Sequence, residues 1–411
     1  MARPVPSALA AHACTPDQGG RTGPWSAVPA SAVRLNPIVH RLEAFGDRLR
    51  GFAKPWEVVS FIWVPALGLA YASYYEVSRR NTLQDFGIFR KAALEVVHGR
   101  SPYVHPSAAA FSHFDKFVYP PFAAVLFAPF AALPGGPARV LMFILCLAAL
   151  LGALRLLEVG DWRCYGLAVI SAPAINALAL GAVTSFLLLG VSLAWRYRAN
   201  AVVAGVAAAF AALLKLFLWP LGIWLLVTRR WRAAFVCAVT GVLLLVGGWA
   251  VIDFAGLRSY PTTLHLLQQV ETPASYSTIA LLGLGGGAAT ALTVLFSVGA
   301  VAAVGLVARG RDGDRRALAV AVVASLVATP LLWLHYLLLL YVPIALYRPR
   351  LSGVWLAPLL LWLTPTTHSH GTTWRIVLAL GVTAVVAVRT LRGSSSPAFS
   401  RAGAAPRPAQ S

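Results

Sequence analysis

Residues 232–252 read RAAFVCAVTGVLLLVGGWAVI, an apolar run that contains no acidic residue. The basic group Arg229-Arg230-Trp231 precedes it. Its length is close to the roughly 20 residues that an α-helix needs to cross the hydrocarbon core of a bilayer. Similar runs recur at 57–75, 138–156, 163–178, 181–195, 200–216, 217–228, 279–308, 315–329, 331–347, 353–365 and 374–390. The sequence therefore predicts an all-α polytopic membrane protein with about 10–13 transmembrane helices.

The composition excludes two other classes. The chain has 411 residues, of which 58% are hydrophobic and only 12% are charged. Soluble domains carry about 25% charged residues, so a soluble enzyme is excluded. The net charge of +20, from 34 Lys and Arg against 14 Asp and Glu, does not indicate a nucleic-acid partner in so hydrophobic a chain. We expect the basic residues to set membrane topology and to contact anionic lipid headgroups.

The chain divides by composition into three parts. Residues 1–55 are rich in Pro, Ala and Ser and carry several basic residues, which predicts a disordered basic cytoplasmic tail. Residues 56–391 hold the apolar runs and form the transmembrane domain. Residues 392–411 are again low in complexity and predict a second disordered tail.

Basic residues cluster in short loops between the runs, at 196–198, 229–232, 309–316 and 348–350. With twelve spans, these loops and both termini fall on one side, which the positive-inside rule assigns to the cytoplasm of a bacterial plasma membrane. The outer side then holds a long first loop and four shorter segments, at 76–137, 176–181, 253–278, 330–335 and 364–375. Residues 120–133 are apolar but rich in proline, and this topology requires them to be interfacial or re-entrant.

Acidic residues are costly in a membrane, so the few on the outer side are the candidates for a catalytic carboxylate. They are Glu76, Asp85, Glu95, Asp115, Asp253 and Glu271. Acids beside arginine in the cytoplasmic loops, such as Asp314, are interpreted as ion-pairing groups.

The first outer loop contains a predicted amphipathic helix that lies on the membrane. Phe86, Phe89, Ala93 and Val96 recur at helical spacing, and a glycine follows the last of them. Asp85 stands where the helix begins, and a carboxylate there can cap free backbone N–H groups. From the residues alone, capping is favoured over a catalytic role for Asp85.

Three blocks of sequence change that balance. They are Asp85-Phe-x3-Arg90 with Gly99-Arg-Ser-Pro102-Tyr103 and Val118-Tyr119-Pro120-Pro121, then Ala204-Gly205 with Leu213-Leu214-Lys215 and Pro220, then Thr329-Pro330-Leu-Leu-Trp333-Leu-His335-Tyr336. In this order they resemble glycosyltransferase family 87, polyprenol-phosphate-sugar-dependent transferases of the GT-C class, over roughly residues 57–390. Many relatives have Gly-Gln where this chain has Gly181-Ala182, so a role of that glutamine is absent or shifted here.

The resemblance implies a function and a base. It implies a membrane glycosyltransferase that moves a hexose from a polyprenyl-phosphate donor to a glycolipid or polysaccharide on the outer face. Mannose is the first choice of sugar, and the transfer inverts the configuration of the anomeric carbon. In such families an Asp near the start of the first outer loop is the base, and the matching residue is Asp85. An arabinofuranosyltransferase of the same family is the close alternative.

Other residues are candidates for the donor site. The leaving phosphate needs cationic or donor groups, which His335, Lys215 and Arg90 can supply, and Tyr119 and Trp333 can stack on a sugar. Each residue also has a structural interpretation. His335 can be an ordinary interfacial histidine, Lys215 can snorkel to the interface and Arg90 can bind lipid headgroups, and Tyr119 and Trp333 can belong to an aromatic belt.

No metal or other cofactor is expected, because the pair His368 and His370 has no acid near it in sequence. The expected partners are the lipid-linked sugar, the acceptor and membrane lipids, and no nucleic acid. A transporter or flippase of lipid-linked precursors and a membrane scaffold remain alternatives. Internal symmetry, which would favour the transporter, is not visible in the sequence.

Overall fold

The computed structural model describes residues 55–78, 83–107, 116–310, 312–364 and 372–392, without the side chains of 72–78. The predicted tails, 1–55 and 392–411, lie outside the described residues except for Pro55 and Arg392, which both belong to helices.

Every regular element of the described residues is helical, which confirms the all-α prediction. The α-helices are α1 Pro55–Val58, α2 Val64–Ser78, α3 Gln84–Val97, α4 Pro121–Leu126, α5 Ala128–Ala131, α6 Gly135–Leu156, α7 Trp162–Ile170, α8 Ala172–Leu180, α9 Thr184–Arg196, α10 Ala201–Leu214, α11 Pro220–Val227, α12 Trp231–Val251, α13 Tyr260–Glu271, α14 Thr278–Leu281, α15 Gly286–Ala308, α16 Gly313–Ala328, α17 Tyr341–Tyr347 and α18 Thr373–Arg392. A π-helical segment, Val59–Trp63, joins α1 to α2, and 3-10 helices occupy Leu216–Leu218, Leu257–Ser259, Thr272–Ala274, Leu334–Leu340 and Gly353–Leu363.

Four of the described helices, α6, α12, α15 and α18, are long and apolar enough to cross a membrane. The pair α7 and α8, bent by 63°, adds a fifth span if it is counted as one broken helix. Further apolar helices of 10–17 residues lie between them. The predicted number of about 10–13 spans is therefore reached only if these shorter helices are counted as spans. Short or broken helices can serve as spans where protein or a cavity surrounds them.

The long helices turn large apolar side chains outward. Val140 of α6, Leu243 of α12 and Leu295 of α15 are each more than 60% exposed. Exposed apolar side chains of this size, on helices long enough to cross a bilayer, are expected to face lipid.

Close helix packing in the core depends on small residues. A Cβ atom on Gly205 of α10 would lie 2.6 Å from the backbone oxygen of Ala233 in α12. Membrane helices associate through such small residues because apolar burial gives them little driving force in lipid.

The first loop differs from its prediction in one respect. The amphipathic helix is present as α3, but Phe86, Phe89 and Ala93 are buried against α4 and α5 and not against the membrane. Helices α4 and α5 have six and four residues, so this proline-rich segment is too short in each piece to span a bilayer. The prediction that it does not span agrees with these lengths.

The basic loops lie close together at one end of the domain. The guanidinium groups of Arg230 and Arg198 bind the carboxylate of Asp314, at 2.6 Å and 3.2 Å. Arg196 pairs with Glu158, and the backbone N–H of Gly160 donates to the carbonyl of Pro349. The ion pairs predicted for the acids of these loops are therefore present.

Candidate active site

Four of the segments predicted on the opposite side from the basic loops meet at one cavity of about 680 Å³. The first loop, the C-terminal half of α8, the 253–278 segment and the segment before Leu334 all contribute to its wall. The polar and aromatic side chains that line it include Gln84, Asp85, Tyr119, Asn176, Lys215, Tyr260, Gln268, Glu271, Trp333, His335 and Tyr336. The cavity thus brings together residues that are far apart in sequence.

A close approach between α3 and the end of α8 positions Asp85. The backbone N–H of Leu83 donates to the carbonyl of Ala179 at 3.2 Å. Gly181 has a φ of +61°, and a Cβ atom there would lie 2.9 Å from the Cβ of Phe86. Only glycine allows this turn to press against the first turn of α3, where Asp85 faces the cavity.

The structure does not support capping as the role of Asp85. The N-cap position of α3 belongs to Leu83, without a side-chain hydrogen bond, so the favoured capping interpretation was wrong. Burial raises the pKa of Asp85 to about 6, although the positive charge of Lys215 opposes this shift. A carboxylate in this environment can accept a proton near neutral pH.

His335 lies opposite Asp85 and is almost fully buried. Its Nε2 is 4.0 Å from Oδ2 of Asp85, and its Nδ1 is 3.2 Å from Oδ1 of Asn176. When the Asn176 oxygen accepts this hydrogen bond, Nδ1 carries the proton and Nε2 presents its lone pair. Nε2 has no hydrogen-bond partner among the described residues, so it is available to a ligand in the cavity.

Lys215 lies at a break between two apolar helices, α10 and α11. Helix α10 ends at Leu214, and Lys215 has an extended backbone before the next helical turn. Its Nζ donates to the hydroxyl groups of Tyr119 and Tyr336, at 2.6 Å and 2.5 Å. It also lies 4.4 Å and 4.7 Å from the centroids of the same two rings. Two phenols therefore hold one ammonium group at the wall of the cavity.

Several polar and aromatic residues of the cavity were not predicted as site residues, among them Tyr336 and Glu271. Tyr336 follows His335 directly in the sequence block that carried the resemblance, which was the available signal. Glu271 was one of the six acids assigned to the outer side, but nothing in its own segment distinguished it. Burial raises the pKa of Glu271 to about 7, with Lys215 lowering it and Asp85 raising it further.

The remaining predicted site residues have different positions. Trp333 lines the cavity with Tyr119 and Lys215. Arg90 is not among the lining residues, and its guanidinium donates to the carbonyls of Phe130 and Leu133, at 3.2 Å and 2.8 Å. This position favours a structural role for Arg90, which ties α3 to α5 and to the residues that follow α5, over phosphate binding.

His368 and His370 lie outside the described residues. Within the described ranges, no group of three His, Cys, Asp or Glu side chains is placed to hold a metal ion.

These features define a class: a multi-pass membrane protein with a polar cavity at one end, lined by carboxylate, imidazole and ammonium groups. The model of glycosyltransferase family 87 matches residues 117–334, just over half of the chain. The chain belongs to this family and is a membrane glycosyltransferase. No curated protein and no solved structure matches it.

The family match covers only part of the cavity. Tyr119, Lys215 and Trp333 fall inside the matched residues, whereas Asp85 and His335 fall outside them. The roles considered for Asp85 and His335 therefore depend on the geometry of the cavity.

Proposed function

We propose that this glycosyltransferase moves a hexose, most favourably mannose, from a polyprenyl-phosphate donor to a glycolipid or polysaccharide acceptor on the outer face of the membrane. Asp85 is the general base in this proposal. The second candidate sugar within the same chemistry is arabinofuranose.

One observation carries the proposal: a partly buried carboxylate and an ammonium group line the same cavity from different elements. Asp85 comes from the start of α3 and Lys215 from the break after α10. Displacement at an anomeric carbon requires a base for the attacking hydroxyl and a cation for the departing phosphate. The cavity volume of about 680 Å³ lies within the range of small-molecule sites, roughly 300–1,000 Å³.

In the proposed reaction, the acceptor hydroxyl gives its proton to Asp85 while its oxygen forms a bond to the anomeric carbon. The bond between that carbon and the phosphate oxygen breaks, and its electron pair leaves with polyprenyl phosphate. The ammonium group of Lys215 faces the developing charge, whereas His335, whose Nε2 presents a lone pair, accepts a hydrogen bond from a hydroxyl group of a bound sugar. Attack from the side opposite the phosphate inverts the anomeric configuration, and the steps require no metal cofactor.

We propose that the polyprenyl chain of the donor lies in an apolar groove next to the cavity. The groove has a volume of about 570 Å³ and is lined by apolar residues of α6, α9 and α10, such as Phe186, Val202 and Phe210. Leu214 lines both the groove and the cavity, and Lys215 follows it directly. An apolar chain in the groove would therefore end beside the ammonium group that binds its phosphate.

The location of the lipid chain is tested by a substitution that fills the groove with a larger side chain. Val202 is 60% exposed and lines the groove, so Val202→Trp should raise the donor KM several-fold while the acceptor KM stays unchanged. Leu243→Trp is the control, because Leu243 is 67% exposed on α12 and does not line the groove. Equal donor KM values for the two variants would contradict this location of the lipid chain.

The base is tested in membranes supplied with labelled polyprenyl-phosphate mannose. Asp85→Asn should lower transfer at least ~100-fold, the contribution of a positioned general base. Glu95→Gln is the matched control, because Glu95 lies on the same helix but pairs with Arg100. Full activity of Asp85→Asn would exclude it as the base. Movement of the donor across the membrane without any glycosylated product would favour a transporter instead.

A further inference from the structure

We infer that Glu271, together with Gln268, forms an acceptor subsite that binds the hydroxyl groups of a polyol ring, on the wall of the cavity next to the Lys215 cluster, which consists of Lys215, Tyr119 and Tyr336. This inference rests on the proposed function and identifies the chemical class of the acceptor.

One face of α13 forms a wall of the cavity. Its lining residues recur at helical spacing, and they are Tyr260, Leu264, Leu267, Gln268 and Glu271. The face is aromatic and aliphatic along most of its length and becomes polar at its last turn. Gln268 and Glu271 are three positions apart, so their side chains lie next to each other on the helix surface.

The chain holds α13 at both ends, so these two side chains start from a fixed backbone. At its beginning, the hydroxyl of Tyr260 donates to the carbonyl of Val118 at 3.0 Å, beside Tyr119 of the Lys215 cluster. After its end, the backbone N–H of Tyr276 donates to the carbonyl of Leu332 at 2.7 Å. The hydroxyl of Tyr276 donates to the carbonyl of Thr364 at 2.8 Å.

The hydrogen-bonding capacity of the two side chains is unused. Among the described residues, neither the carboxylate of Glu271 nor the amide of Gln268 has a hydrogen-bond or ion-pair partner, although both line the cavity. The ammonium group of Lys215 instead donates to Tyr119 and Tyr336. A partly buried carboxylate without a protein partner is costly unless a ligand supplies donors.

The charge of this wall selects for hydroxyl groups. Asp85 and Glu271 both face the cavity, and an anionic acceptor group between these two carboxyl groups, unlike one beside Lys215, would be repelled. Sugar and cyclitol hydroxyls are neutral donors that a carboxylate can bind in pairs, and an amide can bind as donor and acceptor. A ring held here by Glu271 and Gln268 would present a further hydroxyl towards Asp85.

The experiment uses the full-length protein in detergent with polyprenyl-phosphate mannose and a panel of octyl glycosides, namely mannoside, glucoside and galactoside. The wild type should glycosylate at least one of them, and Glu271→Gln should raise the KM for that acceptor ~10-fold, the loss expected for one charge-assisted hydrogen bond. The donor KM and the slow hydrolysis of the donor by water should stay unchanged. Gln268→Leu should give the same pattern if Glu271→Gln does not fold.

Gln269→Ala is the matched control, because Gln269 is exposed on the other face of α13, where it contacts His265. A raised donor KM in Glu271→Gln would assign Glu271 to the donor, and a collapse of kcat with an unchanged acceptor KM would make it a base. Either result overturns the acceptor subsite. If the wild type glycosylates membrane material but none of the octyl glycosides, the acceptor is not of the polyol class and the inference is overturned. If the wild type transfers no sugar to any acceptor, the proposed function itself is rejected.

Discussion

Asp85 and Glu271 differ from the acids of the basic loops because they lie in a cavity and not beside arginine. Burial also acts to raise the pKa of Asp161, but hydrogen bonds from Arg163 and the backbone bring that pKa below its usual value. Asp85 has no such donor among the described residues, and burial raises its pKa to about 6. Its surroundings therefore give an ordinary side chain the proton affinity that a base needs.

The pH dependence of transfer should report this environment. A base is active only when deprotonated, so kcat/KM should fall about tenfold per pH unit below the pKa of Asp85, which is about 6, and level off above it. Initial rates between about pH 4.5 and about pH 8 test this, with stability checked at each pH. A carboxylate with the ordinary value of 3.8 would stay fully active at about pH 5. A level profile down to that pH would therefore contradict a buried base.

Among the elements, α12 shows how a small residue brings the wall of the cavity together. Gly247 and Gly248 are neighbours on this helix, but only Gly248 meets another element. A Cβ atom on Gly248 would lie 2.5 Å from the backbone nitrogen of Phe122 in α4. Helix α4 begins two residues after Tyr119, so this contact also supports the chain that holds one phenol of the Lys215 cluster.

Gly248→Ala should destabilise the protein by about 1–3 kcal/mol, because α4 and α12 must move apart to admit the methyl group. Gly247→Ala should be neutral or stabilising by about 0.5–1 kcal/mol, since its Cβ meets nothing within 4 Å and alanine favours a helix. Thermal unfolding of the two variants in the same detergent measures the difference. Equal unfolding temperatures would show that the two helices are not packed as closely as described.

On the scale of the whole molecule, the chain has two chemically different ends. One end carries the arginine loops, held together by Asp314 and by the contacts of residues 158–161. The other end carries the cavity and its carboxylates. The positive-inside rule predicts that the arginine end faces the cytoplasm and the cavity faces outward.

Labelling of single cysteines tests this orientation. In a background in which the four native cysteines are replaced, Gln84→Cys at the cavity and Gly310→Cys at the arginine end should react with a membrane-impermeant maleimide from opposite sides of intact cells. Gln84 is exposed, so its substitution leaves the core unchanged. Labelling of both from the same side would contradict the topology.

The sequence alone predicts the all-α membrane class, most of the apolar helices and the clustering of the basic loops, because each depends on local composition and on the length of an apolar run. It also separates the outer acids from the loop acids such as Asp314 that pair with arginine, but it does not distinguish Asp85 from Glu95, which pairs with Arg100. The family that the sequence resembles, glycosyltransferase family 87, is the family whose model matches residues 117–334.

Only the tertiary structure identifies which side chains share the cavity. Glu271, Asn176 and Tyr336 come from three separate elements, and no spacing along the chain relates them to Asp85. For the same reason Arg90, close to Asp85 in sequence, lies away from the cavity and binds backbone carbonyls. Local sequence decides which segments enter the membrane, because that transfer depends on the apolar surface of each segment by itself. The positions of the charged groups depend on how the broken helices pack against one another, and that packing involves residues more than a hundred positions apart, such as Lys215 and Tyr336.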